Sequence, residues 1–363
     1  MSVTTGIGRA LRHRNYRLYF AGQSVSLVGT WITRIATSWL VYRLTGSTLL
    51  LGVVGFCGQI PTLLLAPVAG VLVDRWDRHR LLVVTQVASM LQSAALAVLS
   101  FAGIITVADI LVLQAAQGMI NAFDTPARQA FLVQMIEQRE DLPNAIALNS
   151  SMVNASRILG PSIGGALIAA VGEAWCFAAD ALSYVAVIAS LLAMRLTRAP
   201  RPAQRHHILT ELHTGVRYVR ESPPIRSALL LLALVSTMGM PYTVLMPAIA
   251  TNVLHGGPHT LGFLMTATGV GALAGAIFLA SRRSVLGLGR AIVIATFVFG
   301  AGLVSFSLSR QLWLSLLILV CTGAGFMIEM ASTNTIIQTI VEEELRGRVM
   351  AFYTMAFMGT APL

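Results

Sequence analysis

Five ionisable side chains stand inside long apolar runs, where a charge has no water around it: Arg34, Asp124, Arg157, Asp180 and Glu329. Even the lenient insertion scales put a central arginine or aspartate at a cost of about 2.5–3.5 kcal/mol. Groups that persist at that cost pair with one another, bind a charged solute or carry protons. Asp124 and Glu329 read as titratable groups facing a wet space. Arg34, counted back from Tyr42 at the helical rise, lies roughly 12 Å below the outer end of its run, too deep to reach water by stretching its side chain. Arg157 lies deeper still and reads equally as one half of a structural ion pair. Asp180 is about 9 Å in from its own outer end, a depth that suits Arg34 better than Arg157.

Uncharged polar residues extend these points into stripes. Gln23, Ser26, Thr30, Thr33 and Thr37 recur at steps of three and four, and so do Gln114, Gln117, Asn121, Asp124 and Arg128. Both spacings keep one face of a helix polar. Two such faces imply an aqueous cavity lined by both helices. Hydrogen bonds between helices, worth about 0.6 kcal/mol each, are the alternative for the serines and threonines. A third stretch, STMGMPYTVLMPAIA, sets Pro241 and Pro247 among Met238, Met240 and Met246, with Tyr242 between them. Its prolines suit a helix that bends. Its thioethers suit either ordinary packing or a wall that accepts varied apolar shapes.

These residues need long apolar elements to hold them. Hydrophobic residues make up 56% of the 363 and charged residues 11%, against about 25% charged in a soluble domain. Eleven runs near the ~20 residues that a bilayer requires can be drawn, at 16–42, 47–73, 81–102, 107–134, 143–171, 174–195, 225–253, 259–281, 288–308, 312–339 and 346–363. The expected fold is an all-α polytopic membrane protein. Every basic residue is arginine, and the net charge is +10. With residue 1 inside, only Arg43 and Arg310 fall outside and only Arg34 and Arg157 within the bilayer; the other 21 of 25 lie on the inner side. The positive-inside rule therefore places the N-terminus in the cytoplasm and the protein in the cytoplasmic (inner) membrane.

The long polar stretch after Arg195 divides the chain into an N-terminal six-helix bundle at 1–195, a linker at 196–224 and an incomplete C-terminal bundle at 225–363. Ile208, Leu212, Val216 and Val219 lie at helical spacing in the linker. This is an amphipathic helix suited to anionic headgroups, or equally a solvated tether. APVAGVLVDRWDR at 66–78 is echoed by GALAGAIFLASRR at 271–283. A repeat of six helices implies two six-helix bundles, the second truncated, with its fifth helix cut and its sixth absent.

Other classes of protein lack support. Cys57, Cys176 and Cys321 are scattered through apolar runs, so neither a disulfide framework nor a metal site is expected. No phosphate-binding glycine loop, HExxH or nucleophile triad is present, which argues against an enzyme and against a bound cofactor. The arginines sit at the ends of runs rather than on an aromatic-rich domain, so no nucleic-acid partner is expected.

Between the second and third runs stands GVLVDRWDRHR. Its arginines serve topology; its acids do not. Gly70, Asp74, Arg75, Arg78 and Arg80 resemble the signature of the major facilitator superfamily at this turn, with Asp77 where that family usually has a glycine. The resemblance implies that Gly70 permits close helix approach and that Asp74 meets the N-terminus of the eleventh helix, latching the halves on the cytoplasmic side. SRILGPSIGG, with Gly160, Pro161, Gly164 and Gly165, resembles the fifth-helix motif of the antiporter branches. WLVYRLTGSTLLLGVVGF, FDTPARQAF and EELRGRVMAFY resemble the transmembrane secretion effector group, which contains enterobactin exporters and macrolide-efflux proteins. Gln114, four residues before Gly118, stands where proton-coupled drug exporters of the superfamily carry an arginine. Coupling would then fall to Arg34, Asp124 and Glu329.

The resemblance implies a monomeric secondary transporter that exports an amphipathic small molecule (drug, siderophore or metabolite) in exchange for protons. A facilitator or symporter importing a nutrient, or a transporter-like sensor, is the alternative. The pathway is expected to involve Gln23, Thr30, Arg34, Gln114, Gln117, Asn121, Asp124, Arg157, Asp180, Tyr242 and Glu329.

Overall fold

A computed structural model of the chain describes residues 8–195, 216–282 and 286–359. Among the described residues all regular structure is helical, as it must be where the hydrocarbon offers the backbone no hydrogen bonds. The first half contains α1 Arg14–Thr45, α2 Thr48–Arg75, α3 Arg78–Phe101, α4 Val107–Leu132, α5 Leu142–Val171 and α6 Glu173–Leu192. The second contains α7 Pro223–Gly239, α8 Pro241–Ala248, α9 Pro258–Ala280, α10 Leu288–Leu308, α11 Leu312–Ile340 and α12 Glu343–Thr354. Seven spans among them are long and apolar enough to cross a bilayer. The chain is a multi-pass membrane protein. Three further helices, α1, α4 and α5, have 32, 26 and 30 residues. They are the helices that carry Arg34, the polar stripes and Arg157.

Local sequence sets the ends. Ser47 accepts a hydrogen bond from Leu50 N at the start of α2, and Thr106 and Asp109 form a reciprocal capping box at the start of α4. The run expected at 225–253 is broken. α7 stops at Gly239 and Pro241, lacking an N–H, opens α8. After Pro247 the backbone widens into a π-helical turn at Ile249–Val253.

Of the linker, residues 216–224 are described, 216–221 of them as helix. There Arg217 Nε donates to Glu221 Oε1 at 2.8 Å, a bond that holds the guanidinium pKa above its ordinary value. Ile208 and Leu212, half of the expected amphipathic face, lie outside the described residues.

The described residues up to 195 pack together with Leu245–Thr266 as one compact unit, and 216–244 with Ala267 onward as a second. Two contacts hold Leu245–Thr266 within the first of these units. Asn252 Nδ2 donates to Tyr42 Oη at 2.6 Å. Gly165 and Gly262 let α5 and α9 touch backbone to backbone: a Cβ on Gly165 would lie 2.9 Å from Gly262 Cα. In the first unit α1 packs on α5 and α6, α2 on α4, and α3 on both α4 and α6. In the second, α10 lies along α11.

Candidate functional site

The polar interior of the first unit is organised by α3. Thr85, Gln86, Ser89, Gln92 and Ser93 are all buried, and their spacing places them on the face between α4 and α6. At one end of this face is Asp124 of α4. Thr85 Oγ1 donates to its Oδ1 at 2.9 Å and Gln86 Nε2 at 2.7 Å, while Arg128, one turn along α4, pairs with Oδ2. In the middle, Gln117 Nε2 donates to Ser89 Oγ at 3.2 Å and to Asn121 Oδ1 at 3.0 Å. At the other end, Ser93 Oγ donates to Asp180 Oδ2 at 2.7 Å. Two buried carboxylates thus terminate a ladder of hydroxyls and amides running along α3. The α1 and α4 stripes did not announce the α3 side of this ladder. Its signal, TQVASMLQS read at a helical period, was present in the sequence but diluted by apolar neighbours.

Three expectations are corrected by this packing. Asp124 does not line an open space with α1: it is 2% exposed and sits in the α3–α4 contact, held by three donors. The α1 stripe is not one surface either. Gln23, Ser26 and Thr37 are buried, while Thr30 and Arg34 are exposed, because α1 is sandwiched by α5 and α6 and only one edge stays open. Asp180 does not partner Arg34. It faces Gly29, whose missing side chain clears room for Oδ1 at 2.7 Å from where a Cβ would stand. Arg34, five residues on, points about 140° away around the helix. Its guanidinium instead lies over the Trp31 ring, 5.1 Å from the centroid, a cation–π contact. Arg157 of α5 is half-buried. Gln114 and Gln117 are half-buried, Gln114 standing beside Gly58 of α2.

The second unit holds Glu329 on α11. It is fully buried. Thr333 Oγ1 donates to its Oε1 at 3.2 Å, and Oε2 has no hydrogen-bond partner among the described residues. Beside it, Met330 and Tyr242 pack on a cluster of Val235, Phe299 and Phe326. The rings of Tyr242, Phe299, Phe326 and Phe357 follow one another at centroid separations of 6.4, 5.4 and 6.1 Å. Glu329 therefore does not face the open space expected from sequence: like Phe299 and Phe326, it is packed into the interior of the second unit. Met240 joins this cluster, whereas Met238 is 71% exposed and Met246 is buried elsewhere.

The charged turn between α2 and α3 anchors itself to its own unit. Asp77, where the motif usually has glycine, is the N-cap of α3: its Oδ1 accepts from His79 N at 3.0 Å and Arg80 N at 3.1 Å. Arg78 donates to the Ala130 carbonyl at 3.4 Å, and His79 Nε2 lies 2.8 Å from the Leu191 carbonyl. Arg75 and Arg80 are exposed. Gly70 and the Asp74 side chain fall outside the described side chains. Gly160 and Gly164 pack α5 against Trp31 and Ile32 of α1, with Pro161 buried next to them. Their neighbour Gly165 is the residue that meets α9.

Comparison with known proteins agrees with this architecture. Residues 8–362 match the transmembrane secretion effector family. The Staphyloferrin A transporter of Staphylococcus aureus is 27% identical over 93% of this chain and 85% of its own length. The multidrug efflux pump Tap of Mycolicibacterium fortuitum is 26% identical, over 92% and 83%. Among solved structures, a bacterial homologue of the iron transporter ferroportin in an inward-facing state superposes with a TM-score of 0.70 at 14% identity, covering 97% of this chain and 90% of that one. The fold and its polar interior define a membrane transporter rather than an enzyme. The chain belongs to the transmembrane secretion effector family of the major facilitator superfamily.

Proposed function

We propose that this protein exports an amphipathic small molecule across the cytoplasmic membrane in exchange for protons, its two bundles, 1–195 and 225–363, opening alternately to either side. Similarity to a Staphyloferrin A transporter and to a multidrug efflux pump supports the substrate class, and similarity to the efflux pump supports the outward direction. One observation carries the coupling: Glu329 is a fully buried carboxyl group with an uncommitted oxygen, on the helix that contributes Phe326 and Met330 to the aromatic cluster. A group that gains and loses a proton there differentially stabilises the two facing states. Asp124 and Asp180, each already bonded to α3, serve as the fixed ends of a polar frame. Arg34 and Arg157 supply cationic contacts for the solute, and Gly70 and Asp74 belong to the cytoplasmic latch.

Proteoliposomes containing the full chain and loaded with a panel of siderophores and amphipathic drugs test this reading. Efflux of at least one compound is expected to accelerate under an imposed pH gradient, and Glu329→Gln to abolish the acceleration while the protein remains folded. Efflux of the same rate with and without the gradient removes proton exchange. Absence of flux for every compound removes export itself.

A further inference from the structure

The second unit contains a groove of about 610 Å³ that plays no part in the reading above. It runs between the end of α9, the first half of α10 and the middle of α11. Phe278, Ile294, Val298 and Cys321 form its walls, and Arg282 and Arg290 stand at its mouth. Among the described residues no acidic side chain lines it. From Arg290 to Val298 the groove follows α10 for about 12 Å, the depth of much of one leaflet. Phe278, Ile294 and Val298 are 50%, 63% and 37% exposed, so the groove opens sideways, toward hydrocarbon.

The mouth is built for an anion. Arg282 Nη2 donates to the Leu286 carbonyl at 3.0 Å, which ties its guanidinium to the turn preceding α10. That helix begins at Gly287 with no side-chain cap, so its first N–H groups and the positive end of its dipole face the same place as the two arginines. Apolar walls lead inward and cationic groups sit at headgroup level. We infer that this groove holds a single anionic phospholipid of the leaflet in which the arginines lie, with an acyl chain along α10 and the phosphate at Arg282 and Arg290. It is distinct from the linker, whose basic residues were expected to meet headgroups diffusely, and it does not depend on what the protein exports.

Native mass spectrometry of the purified full chain tests the assignment. Phosphatidylglycerol and phosphatidylcholine with identical acyl chains are added in competition, and glycerol 3-phosphate is added separately. One phosphatidylglycerol is expected to be retained in preference to phosphatidylcholine. The preference should fall about five-fold when either Arg282→Gln or Arg290→Gln is introduced, and about 25-fold with both, from the roughly 1 kcal/mol that each basic residue contributes near a headgroup. The Arg→Lys pair should keep most of it, and Cys321→Trp, which fills the groove floor, should abolish retention while leaving the arginines in place. Equal retention of the two lipids, an unchanged preference in the double Arg→Gln variant, or equal loss in the Gln and Lys pairs overturns the proposal. So does displacement of the lipid by glycerol 3-phosphate, which would make the mouth a site for soluble phosphates.

Discussion

Asp124 and Glu329 show how two acidic residues at similar sequence depth come to differ. Asp124 is bonded to Thr85, Gln86 and Arg128, whereas Glu329 shares one oxygen with Thr333 and leaves the other free of protein partners among the described residues. The first is a committed structural charge, the second an available one. Replacing Arg128 with Gln leaves Asp124 charged in the α3–α4 contact, and breaking such a pair costs about 3–5 kcal/mol. Denaturant unfolding in detergent should register that loss, and adding Asp124→Asn should recover most of it, a coupling that a double-mutant cycle measures. Glu329→Gln should leave the same unfolding midpoint nearly unchanged, because no cation loses its partner. Its effect belongs to transport: the rate of pH-driven efflux should lose its dependence on internal pH.

At the scale of helices, function depends on which surfaces slide and which are bolted. The α3 ladder bolts α3 to both α4 and α6 through side-chain bonds. The α5–α9 contact has one long bond, from Thr266 Oγ1 to the Ile158 carbonyl at 3.4 Å, and rests otherwise on Gly165 and Gly262 lying against each other, with a Cβ on Gly262 only 2.9 Å from the Pro161 carbonyl. Backbone contact of this kind separates and re-forms without breaking a polar network, which suits a gate. Gly262→Leu forces the two helices apart. We expect flux in proteoliposomes to fall at least ten-fold, with a loss of stability of about 1–3 kcal/mol from overpacking. Unchanged flux would show that the contact never has to close. The break at Pro241 makes a second moving part. Pro241→Ala restores the missing N–H, should fuse α7 with α8 in the far-ultraviolet circular dichroism spectrum, and should slow turnover.

For the whole molecule, the placement of the arginines makes a topological claim that can be tested in cells. With Cys57, Cys176 and Cys321 replaced by Ser, a single Thr45→Cys is expected to react with an impermeant maleimide added outside. Ser222→Cys is expected to react only after the membrane is opened. The reverse pattern would invert the molecule and move the charged turn at Arg75–Arg80 to the outer face. The same result decides which leaflet supplies the lipid to Arg282 and Arg290.

Hydropathy, arginine placement and the GVLVDRWDRHR turn determined from sequence alone that the chain is helical, spans a membrane repeatedly and has the major facilitator architecture. The first two properties follow from the cost of burying charge and backbone in hydrocarbon, which acts on each segment independently of its neighbours; the third rests on the resemblance of that turn to a family signature. Helical period also found α1 and α4 as polar helices, though it passed over α3, whose polar face is narrower than its apolar one. Which residue meets which was decided only in three dimensions. Asp180 turned to Ser93 rather than Arg34 because Gly29 leaves the space, and Asp124 was claimed by Thr85 and Gln86 of a helix nearly forty residues away. Depth along a helix can be counted from a sequence; azimuth relative to a neighbour is set by packing, and on that angle depends whether a buried acid is a strut or a carrier.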